Sequence, residues 1–229
     1  WLNLWCRKEP GTLARQCQDP RTSQVMSQAC CHDEQGFVVA EDVKVWMYQK
    51  DCPTEASRCN ATSKSGSLTV GFGVNGDQER FGPELGLGLG LQNAMPGAKI
   101  LLYKMAFGGS SLAENWRPPT SAQRPDPFCP GEPCQKCSDW ANTCEPSQIG
   151  PNYELLVSNV KRILSPGSIG KEFPELAHLT PVLDGFVWNQ GWTDGTEACF
   201  AAAYENNLVN LISDLREAWQ APRQPVVVT

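Results

Sequence analysis

The chain has 229 residues, 41% of them hydrophobic and 19% charged, with a net charge of −6. That composition suits one sizeable globular domain and argues against a disordered acidic chain or a coiled coil. The negative charge argues against nucleic acid or an anionic membrane surface as partner, and no apolar run approaches the about 18 residues of a membrane span.

Residues 1–36 are polar, Cys-rich and weakly periodic, and the opening Trp1-Leu2-Asn3 has neither initiator Met nor signal peptide. The sequence therefore reads as a processed chain or a piece of a longer one. Val43–Tyr48 has the β-branched and aromatic content of a strand. Residues 50–66, full of Asp, Pro, Ser and Thr, read as a loop. Ser67–Gly73 reads as a short strand running into a glycine-rich turn. Phe81-Gly82-Pro83-Glu84-Leu85 carries a helix start: Pro suits the first helical position and Glu the positive end of the dipole. The following Leu85–Leu91 alternates Leu with Gly, which alone looks like a strand. The start signal decides for a helix packed very closely on a neighbour, with Gly giving a flat face. No Gly-Lys-Ser/Thr follows, so this is not a phosphate loop.

Ala98–Ala106 is a near-continuous apolar run, as in a buried parallel strand, and Gly108–Ser111 follows as a turn. Residues 115–150 are a Pro- and Cys-rich insertion. Tyr153–Leu164 reads as a helix with Leu156, Val160, Ile163 and Leu164 on one face. Asp184–Asn189 is another buried strand. Phe200–Trp219 is a helix in which Tyr204, Leu208, Leu211, Leu215 and Trp219 recur at helical spacing, ended by Pro222. Pro225–Thr229 begins a last strand. This alternation predicts an α/β fold over 1–229: a doubly wound parallel sheet with helices on both faces, as a single domain. Ligands of such folds sit beyond the carboxyl ends of strands. That directs attention to the turns at 73–83, 107–112 and 189–196.

Eleven Cys are many for a reducing compartment, and Asn60-Ala61-Thr62 is an N-glycosylation sequon. Together they favour a secreted, extracellular or lumenal protein. An odd count leaves at least one Cys free or paired outside the chain. Cys129, Cys134, Cys137 and Cys144 contain a Cys-x-x-Cys that admits zinc. The oxidising context favours a disulfide-stapled loop instead, so neither a metal nor a cofactor is expected.

Gln190, in Gln190-Gly191-Trp192-Thr193-Asp194, follows a strand, where a side-chain amide can donate to a developing oxyanion. The Gly82 N–H at a helix start offers the same chemistry. On local evidence alone both read more simply, as a turn cap and an N-cap glycine. The two histidines, His32 and His178, read as surface residues, neither placed where a doubly wound hydrolase carries its base. Ser110 and Ser111 lack a Gly-x-Ser-x-Gly elbow and read as a structural turn.

Several ordered motifs resemble the carbohydrate esterase branch of the SGNH hydrolases, the sialate O-acetylesterase and acetyl xylan esterase type. They are Leu68–Gly73, Phe81–Leu85, Lys104–Leu112, Trp116–Pro119, Gly185–Asp194, and Tyr204–Leu208 with Leu211, Ile212, Leu215 and Arg216. The resemblance runs from about residue 40 to 229, interrupted by the insertion, and implies a flavodoxin-like fold. It implies serine deacetylation of acetylated sugars, with Gly82 and Gln190 as oxyanion donors. Gly108, Gly109 and Trp116 then lie near the pocket mouth, and Asp194 is structural or substrate-orienting. The family's Gly-Gln-Ser-Asn nucleophile block and Asp-x-x-His base block are absent from these residues. The window therefore reads as an excerpt of a deacetylase whose remaining segments supply Ser and His. The alternative is a non-catalytic glycan-binding or structural module of an extracellular assembly, with Trp116, Trp140, Trp188 and Trp192 as sugar-stacking candidates. As written, the chain leaves open whether it is an active enzyme.

Overall fold

The computed structural model describes residues 39–51, 60–73, 81–123 and 149–229. The predictions on residues 1–36, on the 52–59 part of the predicted 50–66 loop and on the 129–144 cluster fall outside those residues, as do His32 and Trp140. The chain divides into two compact units, Trp1–Ala106 and Phe107–Thr229.

In the first unit, β1 (Ala40–Asp51) pairs with β2 (Asn60–Leu68) on one side and β3 (Ile100–Met105) on the other. β1 and β3 are parallel, with Val45 opposite Leu102 and Trp46 opposite Tyr103. β2 is antiparallel to β1, with Ser65 opposite Trp46. This sheet is mixed, whereas the sequence pattern predicts parallel strands throughout. The difference comes from 60–66, predicted as loop. Its Ser-Lys-Ser run has no apolar face, yet an edge strand needs only one partner for its backbone, and β1 supplies it. The chain then turns at Thr69–Gly73, so the strand predicted over 67–73 ends at Leu68.

α1 (Pro83–Ala94) is helical despite its period-two leucines. Leu85, Gly88 and Leu89 face inward, while Leu87 is exposed. The close packing expected of its glycines rests on one of them. A Cβ on Gly88 would sit 2.3 Å from Leu68 Cδ2 and 3.1 Å from Val43 Cγ1, whereas one on Gly86 or Gly90 would meet nothing within 4 Å. Val43, Val45, Met47, Leu68, Val70, Phe72, Leu85, Leu89 and Ile100 form the core of this unit.

The second unit contains α2 (Pro119–Gln123), α3 (Pro151–Ile163), two 3-10 turns (Ser168–Lys171 and Pro174–Leu176), β4 (Phe186–Trp188), α4 (Trp192–Gly195), α5 (Ala198–Ala218) and β5 (Val226–Val228). β4 and β5 are parallel, with Val187 opposite Val227. α3 buries Leu156, Val160 and Ile163 as its spacing predicts, and α5 buries Leu211, Leu215 and the adjoining Trp219. The insertion starts and ends at one place: Gly150 N donates to Arg117 O and Asn152 N to Asn115 O, both at 2.9 Å. A Cβ on Gly150 would lie 2.4 Å from Asn115 O, so this closure demands glycine. α2 is capped by Asp214 of α5, which accepts from Thr120 N at 2.8 Å and Thr120 Oγ1 at 2.7 Å. Among the described residues no helix is long and apolar enough to cross a membrane.

Candidate functional site

The 189–194 turn leaves the carboxyl end of β4 and is fixed from two sides. Gly191 has φ 154°, open to glycine and strained for other residues. Tyr204 of α5 donates its hydroxyl hydrogen to Gln190 O and accepts from Trp188 Nε1 at 3.0 Å. Burial raises the Tyr204 pKa above its ordinary value, the Trp188 hydrogen bond lowers it, and the nearby Asp194 carboxylate raises it further.

Asp194 is the anchor. It is fully buried. It accepts from Leu112 N at 3.0 and 2.8 Å, from Ala113 N at 3.0 Å and from Gln190 Nε2 at 2.7 Å. Burial raises its pKa, opposed by the hydrogen bonds from Gln190, Leu112 and Ala113, so desolvation outweighs them. The carboxylate thereby ties the turn after β4 to the 110–113 segment, two stretches some eighty residues apart in sequence.

The Gln190 amide lies in that junction. Its Nε2 also donates to Ser110 O at 2.9 Å, so both amide hydrogens are engaged within the protein. Its Oε1 is buried without a hydrogen-bond partner among the described residues. An N–H offered to another oxygen has to be released by Ser110 or Asp194. Gly108 and Gly109, next to Ser110, are exposed, and Gly109 has φ 71°. Trp116 is buried. Its Nε1 donates to Ser110 Oγ at 2.8 Å, and its ring stacks on Phe107 and meets Trp188 edge-on. Ser110 and Ser111 are buried with hydrogen-bonded hydroxyls, consistent with a structural turn, and His178 is exposed.

In the first unit, Gly82 caps α1, and its N–H donates to Glu84 Oε1 at 2.7 Å. Glu84 is buried, and its Oε2 pairs with Lys104 Nζ at 2.8 Å at the end of β3. Lys104 Nζ also donates to Phe72 O. Side-chain room is short: a Cβ on Gly82 would lie 2.6 Å from Glu84 Oε2. Asn60 opens β2, its backbone opposite Asp51.

The sequence reading singled out Gly82, Gln190 and Asp194, gave Glu84 only a helix-start role and Tyr204 only a place on a helical stripe, and assigned none to Lys104 or the Leu112 and Ala113 amides. Lys104 and Tyr204 lie within the quoted motifs, which was the available signal. A backbone N–H carries no sequence signal.

A family profile described as carbohydrate esterase, sialic acid-specific acetylesterase, matches residues 21–229. No curated protein and no solved structure matches the chain.

Proposed function

The chain belongs to the carbohydrate esterase family of the sialic acid-specific acetylesterases, and we propose that it hydrolyses O-acetyl esters of sugars with the 189–194 corner as part of the site. The observation that carries this reading is the match over 21–229, which runs through both units. An acetyl ester passes through a tetrahedral oxyanion, which preorganised N–H donors stabilise. We assign that role to Gln190 Nε2. Gln190 keeps its bond to Asp194 and exchanges Ser110 O for the substrate oxygen. The buried carboxylate then orients the amide and makes its donor stronger. For the first unit the family resemblance gives the Gly82 N–H a donor role of its own, and Glu84 would have to turn fully onto Lys104 to free it. The exposed Gly108 and Gly109 have no side chain to obstruct a sugar, and Trp116 holds the adjacent Ser110 through its Nε1. The attacking Ser and the His base belong to motifs these residues do not contain, so in this reading they come from sequence beyond them. The working compartment is extracellular or lumenal, with glycan on Asn60. Eleven Cys, the sequon and a disulfide-bonded Cys199 support this.

The test is turnover of an aryl acetate and of an acetylated pyranoside by the full-length native protein. Gln190→Ala is expected to lower kcat by about 10²–10³ with KM little changed. Full turnover in that variant removes Gln190 from the mechanism. An inert full-length protein removes the esterase reading itself.

A further inference from the structure

Trp192 is 78% exposed, whereas Trp46, Trp116, Trp188 and Trp219 are all 9% exposed or less. A large indole left in water forgoes the burial that usually places it in a core. Its support is rigid. Gly191 before it holds a conformation that favours glycine, Asp194 after it is fully buried and gripped by the Leu112 and Ala113 amides, and Gly195 N donates to Gly191 O at 2.9 Å. The ring is displayed on a fixed turn, which keeps the ordering cost of a contact low. Its sequence neighbours are not apolar: Asn189, Gly195 and Thr196 are exposed, and so are Gly108 and Gly109 on the segment that Asp194 ties to this turn. One aromatic face among small and polar groups suits a ligand with one apolar face and many hydroxyls. Two residues earlier, Gln190 Oε1 is a buried acceptor without a partner among the described residues, which a hydroxyl donor would satisfy.

We propose that Trp192 is the stacking platform for the pyranose ring of the substrate, and so a specificity-determining residue. This rests on reading the 189–194 corner as part of an acetylesterase site. The indole takes the C–H face of the sugar, while the ester lies toward Gln190.

Two readouts on the full-length protein test it, with Trp192→Ala and Trp192→Phe. The first is the ratio of kcat/KM for an acetylated methyl pyranoside to that for an aryl acetate. It is expected to fall about tenfold in Trp192→Ala, through KM, and to be largely retained in Trp192→Phe. The second is binding of the deacetylated methyl pyranoside, followed by the Trp192 indole N–H signal in NMR, which needs no turnover. Perturbation of that signal by the sugar, with calorimetric binding of the same sugar lost in Trp192→Ala, supports the platform even if the protein proves inert as an esterase. Ester turnover with an unchanged ratio and no perturbation overturns the platform and leaves the esterase reading standing. A change in Trp192→Ala confined to self-association or protein binding also overturns it. Circular dichroism checks that both variants keep the fold.

Discussion

Each unit carries a buried carboxylate that fixes a backbone corner, and the two are balanced differently. Glu84 holds the Gly82 N–H while paired with Lys104 at 2.8 Å. Asp194 holds Leu112, Ala113 and Gln190 through neutral N–H donors alone. At Asp194 the desolvation of the carboxyl outweighs the hydrogen bonds from Gln190, Leu112 and Ala113, so its pKa rises. The first corner is secured by charge. The second is secured by hydrogen-bond geometry.

The largest effect is expected where a charge is stranded. Lys104→Met leaves the buried Glu84 carboxylate unpaired and should cost about 3–5 kcal/mol in urea unfolding, with Lys104→Met/Glu84→Gln recovering much of it. No recovery in the double variant would show that Lys104 acts through Phe72 O alone. Asp194→Ala removes the charge and strands neutral donors instead, for a loss of about 3 kcal/mol.

Asp194 also makes stability depend on pH. A carboxyl whose folded pKa is raised contributes stability fully present below its ordinary value of 3.8 and lost as pH rises through the raised one. Relative to Asp194→Asn, the native protein should therefore lose stability with rising pH across that window. A flat difference in urea midpoints would mean that the N–H donors outweigh burial.

The smallest effects separate the two glycines. Gly191→Ala meets backbone strain at φ 154° and should cost about 1–3 kcal/mol, although its Cβ has room, 3.4 Å from Tyr204 Oη. Gly82→Ala meets only the mobile ends of Glu84 and Lys104 and should cost about 1 kcal/mol. Reversed magnitudes would place the demanding geometry at the α1 corner.

Much of the element order was legible because it follows from local patterns. Val43–Tyr48, Ala98–Ala106 and the stripe of Leu211, Leu215 and Trp219 announce strand, strand and helix through β-branching and period. β2 was not legible. Polar Ser63, Lys64 and Ser65 become a strand only because β1 offers a free edge, a property of the partner. Of the site, Gln190 and Asp194 could be picked out from their turn after a strand and from the family motifs. That Asp194 spends its oxygens on the Leu112 and Ala113 amides could not, since those donors are common to nearly every residue.

The sequence by itself determined the alternation of strands and helices, the acidic Cys-rich composition and the family, because these reside in residue identity and spacing. Only the tertiary structure decided that 60–66 joins a sheet and that Gly88 rather than Gly86 or Gly90 receives the neighbouring strands. It also decided that Trp116 is buried while Trp192 faces water. Burial and partner choice depend on what lies across a contact, and neighbours distant in the chain leave no mark on the local pattern of the residues they cover.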